Sequence, residues 1–144
     1  MNDLLILIAE DDADDRYLIR TAFTEKGYSE KVEFVENGVE LLHYLSQKLE
    51  EEDAEEKQFP CVILLDLNMP KKDGREVLKE LKQHPVLKRI PVIVFTTTKN
   101  EIEIKRCYEL GANSYVVKPI SFDGLLQVVE NIRSYWLQTA SIPA

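Results

Sequence analysis

Cysteine is scarce in this chain. Its two residues, Cys61 and Cys107, lie far apart and form neither a CxxC nor a His-containing pattern. That excludes a disulfide framework and a thiolate metal site, and points to reduced core thiols in a cytosol. No run approaches the ~20 apolar residues that cross a bilayer. The opening Met1-Asn2-Asp3 has no basic stretch, so a cytoplasmic protein without a secretory leader is expected. Basic side chains are in deficit, 18 against 26 acidic, for a formal net charge of -8. That balance argues against nonspecific nucleic-acid binding and against an anionic membrane surface. The two histidines, His43 and His84, make no pair and read as structural or solvated. Glycine is thin, and none follows the first apolar run, where a nucleotide or flavin module would need its phosphate cradle.

What is present is a series of short apolar runs, each closed by polar residues. Val62-Ile63-Leu64-Leu65 ends in Asp66, and Asn68, Pro70 and Gly74 follow as turn signals. Such a run reads as a strand buried on both faces, with Asp66 at its carboxyl end. Leu4 to Ala9 ends in Glu10-Asp11-Asp12. Val32 to Val35 alternates and reads as a strand near the sheet edge. Ile90 to Phe95 runs into Thr96-Thr97-Thr98, and Tyr115-Val116-Val117 into Lys118-Pro119. Between them lie helical stripes. Tyr17, Leu18, Ala22 and Phe23 form the first, stopped by Gly27. Asn37, Asp73, Asn100 and Ser121 stand where helix caps belong. Residues 48–58, rich in glutamate, read as a solvated acidic loop or an extension of the preceding helix. Five runs alternating with five helices predict a doubly wound α/β domain with one five-stranded parallel sheet, spanning residues 1–138. Residues 139–144 read as a tail, with no output domain.

In a parallel sheet all carboxyl ends share one edge, where open α/β sheets bind their ligands. Glu10, Asp11, Asp66, Thr96 and Lys118 therefore converge. Crowded carboxylates repel one another unless a cation joins them, and hard oxygen ligands at a partly open site suit Mg2+. Lys118 and the Thr96 hydroxyl suit phosphoryl oxygens, and Asp66 is left as a nucleophile. Each residue has an ordinary reading too. Asp12 reads better as a helix N-terminal charge. The agreement of all the strand ends favours the chemical reading.

These motifs, Ala9-Glu10-Asp11-Asp12, Asp66-Leu67-Asn68-Met69-Pro70 with Asp73-Gly74, Phe95-Thr96-Thr97, Gly111-Ala112 and Tyr115-Val116-Val117-Lys118-Pro119, resemble those of response-regulator receiver domains. The chain is similar to the chemotaxis receiver over nearly its whole length. The resemblance implies a flavodoxin-like strand order 2-1-3-4-5. It implies Asp66 as the acceptor of a phosphoryl group from a histidine kinase or histidine phosphotransfer protein. It further implies that Asp11 ligates Mg2+ directly, Glu10 through water, and Asn68 through its backbone carbonyl. Thr96 and Lys118 would contact the phosphoryl group, and the Lys118–Pro119 bond would be cis against a generic prior of about 5%. Tyr115 matches the family's switch aromatic, which turns inward as Thr96 moves; its ordinary reading is a half-buried strand aromatic. Asn68 and Thr98 occupy positions that tune phosphoryl lifetime. Output would pass through contacts with a downstream protein, and self-dephosphorylation would be slow rather than a turnover activity.

The acidic insertion and Tyr135-Trp136-Leu137 in the last helix are similar to features of stand-alone regulators of phytochrome-type kinases, some of which form homodimers through the C-terminal region. A Mg2+-dependent phosphohydrolase shares the metal-plus-aspartate logic. It would want an acid two residues after the nucleophile, and Asn68 stands there.

Overall fold

Leu-Ile-Leu-Ile-Ala, the run of strand β1 (Leu5–Ala9), carries no polar side chain, and such a strand persists only with both faces covered. The computed structural model, which describes residues 4–27, 31–51 and 59–142, shows how this is met. Strands β1, β2 (Lys31–Val35), β3 (Val62–Leu65), β4 (Val92–Thr96) and β5 (Ser114–Val117) form one parallel sheet in the order β2-β1-β3-β4-β5. The expected order is borne out, with β2 at an edge.

Alternate side chains divide the core in two. Leu7, Ile63, Leu65 and Val94 point to one face, against α2 (Gly38–Glu50), α3 (Gly74–Gln83) and Cys107 of α4 (Glu101–Glu109). Ile6, Ile8, Leu64 and Phe95 point to the other, against α1 (Ala13–Glu25) and α5 (Phe122–Ile132). Cys61 and Cys107 are both buried, on opposite sides of the sheet.

The helix starts follow local chemistry. Side chains of Asp12, Asn37, Asp73, Asn100 and Ser121 each accept a backbone N–H from the first turn they cap. Gly27 and Gly111 leave α1 and α4 at positive φ, 69° and 109°. His84 accepts the backbone N–H groups of Val86 and Leu87 through Nδ1, a structural role of the kind expected.

The fold departs from the expectations in three places. On α1 the buried residues are Ile19, Ala22 and Phe23, while Tyr17 is 69% exposed and Leu18 is 41% exposed. The helix is rotated so that its Ile19–Phe23 stripe meets α5. No cis peptide bond occurs among the described residues, so Lys118–Pro119 is trans. After Ile132 the helix continues in π form from Arg133 to Thr139, into the expected tail, and Ile142 beyond it packs on the core. The wider winding keeps Trp136 and Leu137 on the buried side, and Tyr135 meets Trp136 edge-on at 5.1 Å. Of the acidic connection, α2 takes the residues to Glu50, and 52–58 lie outside the described residues.

One edge contact has a pH signature. The Tyr44 hydroxyl on α2 donates to Glu33 on β2 at 2.6 Å and, with Lys31 at 3.3 Å, holds the Glu33 carboxyl below its usual range. A carboxyl depressed in the folded state adds stability above its unfolded pKa of about 4.3 and loses it as pH falls through the folded value. Tyr44→Phe is expected to cost about 1 kcal/mol at neutral pH. In urea titrations the deficit against the parent should shrink below about pH 4.

Candidate functional site

The strand register places the site. Ala9 pairs with Leu65, so Glu10 and Asp66 leave neighbouring strands side by side. Thr96 pairs with Val117, so Lys118 follows next to it. Backbone bonds fix these ends: Asp66 N–H donates to Ala9 O at 3.1 Å, Glu10 N–H to Val35 O at 3.0 Å, and Lys118 N–H to Thr96 O at 2.7 Å.

Glu10, Asp66 and Thr96 are buried, unusual for such side chains unless each has a partner or a role. Carboxylate oxygens of Glu10, Asp11 and Asp66 lie within 4.8 Å of one another. The Lys118 ammonium donates to Glu10, contacts Asp15 at 3.3 Å and stands 3.5 Å from Asp66 Oδ2. Burial pushes the Glu10 carboxyl up to about 7; Lys118 pulls it back, and the Asp66 charge adds to the rise. Burial lowers the Lys118 ammonium in turn, but the Glu10 hydrogen bond and the Asp66 charge outweigh that and leave it raised. One ammonium among this many carboxylates leaves the cluster short of positive charge. The all-oxygen donor set, open to solvent through exposed Asp11, fits one hard divalent cation, whose charge would favour the ionised form of Glu10.

The Thr96 Oγ1 is buried and has no hydrogen-bond partner among the described residues. Leaving such a hydroxyl unpaired costs about 1–3 kcal/mol, a cost that a phosphoryl oxygen would remove. Thr96→Val is therefore expected to leave thermal stability level or higher. Affinity for beryllium fluoride, a phosphoryl mimic, should drop about tenfold or more in a calorimetric titration with Mg2+. A destabilised variant with unchanged affinity would contradict this role for the hydroxyl.

The remaining expected residues sit at the rim. Asn68 is exposed, and its N–H donates to Asp66 Oδ1 at 3.4 Å. Tyr115 packs against the α3–α4 side of the core, and its hydroxyl donates to Thr98 O at 2.8 Å.

Residues 6–130 match the family model of the response regulator receiver domain. The chain belongs to the response-regulator receiver family. It is 41% identical to response regulator Rcp1 of Synechocystis over 97% of this chain and 93% of that protein. Among solved structures, this receiver resembles the phosphorylated cyanobacterial phytochrome response regulator RcpA, with a TM-score of 0.87, 43% identity and coverage of 99% and 100%. It also resembles the Mn(2+)-bound form of Rcp1, with a TM-score of 0.84, 40% identity and coverage of 98% and 99%. The receiver is thus a two-component signalling domain, and no helix among its described residues is long and apolar enough to cross a membrane.

Two residues of the receiver's site escaped the sequence reading. Arg16 donates from Nη1 to the carbonyls of Glu10 and Asp11, both at 2.9 Å, and so pins the acidic turn. Asp15 reaches Lys118. Both sit in the run of charges at the start of α1, where no spacing in the sequence singles them out.

Proposed function

We propose that this receiver takes a phosphoryl group from the phosphohistidine of a histidine kinase, or of a histidine phosphotransfer protein, onto Asp66. The observation that carries the reading is the joint placement of Asp66 among Glu10, Asp11 and Lys118, at the strand edge where the buried Thr96 hydroxyl lacks a partner among the described residues. An Asp66 oxygen attacks phosphorus, the P–N bond breaks, and the departing imidazole carries away the electron pair and takes up a proton. Glu10, Asp11, Asp66 and the Asn68 carbonyl would hold Mg2+, which supplies charge neutralisation for the transferring group. Lys118 and Thr96 donate to its equatorial oxygens. Release follows slowly when water attacks phosphorus and the carboxylate leaves.

Tyr115 is the proposed readout. Movement of Thr96 toward the phosphoryl group would disturb the β4–α4 connection, where Thr98 O holds the Tyr115 hydroxyl. The α4–β5–α5 surface would then present a changed face to a downstream protein. The similarity to the phytochrome response regulator RcpA supports a phytochrome-type kinase as donor; a homodimer through the C-terminal region is part of the same proposal. The test is intact mass after incubation with acetyl phosphate and Mg2+, followed by peptide mapping. One added phosphoryl group, located at Asp66 and abolished by a chelator, is expected. Label at another residue, or undiminished labelling in the chelator, would overturn the reading.

A further inference from the structure

Lys118 has more carboxylate around it than its role on a phosphoryl group requires. Its ammonium carries three protons, and three carboxylates surround it: Glu10, Asp15 at 3.3 Å and Asp66 at 3.5 Å. Packing alone does not hold the ammonium in place. A cavity of about 130 Å³ opens beside the lysine stem, walled by Leu18, Phe95, Pro119 and Phe122. The carboxylates therefore decide where the ammonium points.

The three differ in what happens when the site is loaded. Glu10 and Asp66 belong to the cluster whose charge a divalent cation offsets, whereas Asp15 lies outside it, on the first turn of α1. We infer that Asp15 is a positioning residue that restrains Lys118, competing with the phosphoryl group for its ammonium and thereby shortening the life of the aspartyl phosphate. The inference rests on the phosphoacceptor reading above. It adds a regulator of that site: a half-exposed carboxylate, 42% accessible, placed beside the group that must reach the phosphoryl oxygens. An exposed pair of this kind has a modest strength, so the restraint is a several-fold effect rather than a switch.

The test compares the parent with Asp15→Asn and Asp15→Glu. Removing the charge should tighten beryllium fluoride binding with Mg2+ about two- to fivefold and slow phosphoryl loss by a similar factor. In the unloaded protein, reductive methylation of Lys118, followed by peptide mass, should accelerate in Asp15→Asn because the ammonium is released. Asp15→Glu, which keeps the carboxylate, should track the parent. Equal affinity, lifetime and methylation in Asp15→Asn would overturn the inference, and so would weaker beryllium fluoride binding. If the parent itself takes no phosphoryl group, the acceptor reading is what fails. The methylation comparison still decides whether Asp15 restrains Lys118.

Discussion

An Asp66→Asn variant incubated with acetyl phosphate and Mg2+ is expected to stay at its unmodified mass while the parent gains one phosphoryl group. An amide offers no carboxylate oxygen for attack, so the loss should be complete rather than partial. The same change should not unfold the protein. Asp66 sits in a crowd of like charges, its ammonium contact is 3.5 Å long, and removing one negative charge relieves the repulsion with Glu10 and Asp11. Its melting temperature should be level with the parent's or above it. Mg2+ affinity should fall, because one carboxylate of the cluster has gone. Persistent phosphorylation in a folded variant would place the acceptor elsewhere.

Gly74→Ala is expected to cost about 3 kcal/mol or more in urea unfolding and to impair phosphoryl acceptance with it. A Cβ at this position would lie 2.4 Å from the Asp66 carbonyl oxygen and 2.7 Å from Leu67 Cα, both backbone atoms without a rotamer to change. The Gly74 N–H also donates to Leu67 O at 3.0 Å, so α3 cannot back away without losing that bond. The collision falls on the peptide unit that carries the proposed acceptor. Gly27→Ala makes the control. Gly27 has φ 69° but nothing among the described residues within 4 Å of a Cβ, so its penalty is that of the left-handed backbone, about 1 kcal/mol. A Gly74 variant no worse than the Gly27 variant would mean the β3–α3 loop yields easily.

Much of this architecture was legible because the signals are local. Leu5–Ala9 and Val62–Leu65 have no polar side chain, which demands two covered faces and hence a central place in a parallel sheet. Glu10, Asp66, Thr96 and Lys118 stand at the ends of such runs, so their convergence follows from the strands being parallel. The caps at Asn37 and Asn100 needed only the spacing between a side-chain oxygen and the N–H groups it accepts. What stayed hidden depends on neighbours distant in sequence. Leu18 and Ile19 are interchangeable in hydrophobicity; the packing of α1 on α5 selects Ile19 for burial. The π winding after Ile132 has no glycine or proline to announce it. Asp15 became part of the site only when Lys118, 103 residues away, was brought beside it.

Two lysines at opposite ends of the sheet divide the molecule in how it should feel ionic strength. At the amino edge, Lys82 donates to the carbonyls of Lys88 and Ile90 and to Asn113 Oδ1, which also accepts the Val92 N–H at 2.9 Å. Its partners are neutral dipoles, which dissolved ions screen little at contact distance. At the carboxyl edge the hydrogen-bond and ion-pair partners of the Lys118 side chain are carboxylates, and Asp15 is open enough for counterions to approach. Added salt should therefore weaken the Asp15–Lys118 contact first, while the buried Glu10 contact and the far end of the sheet hold.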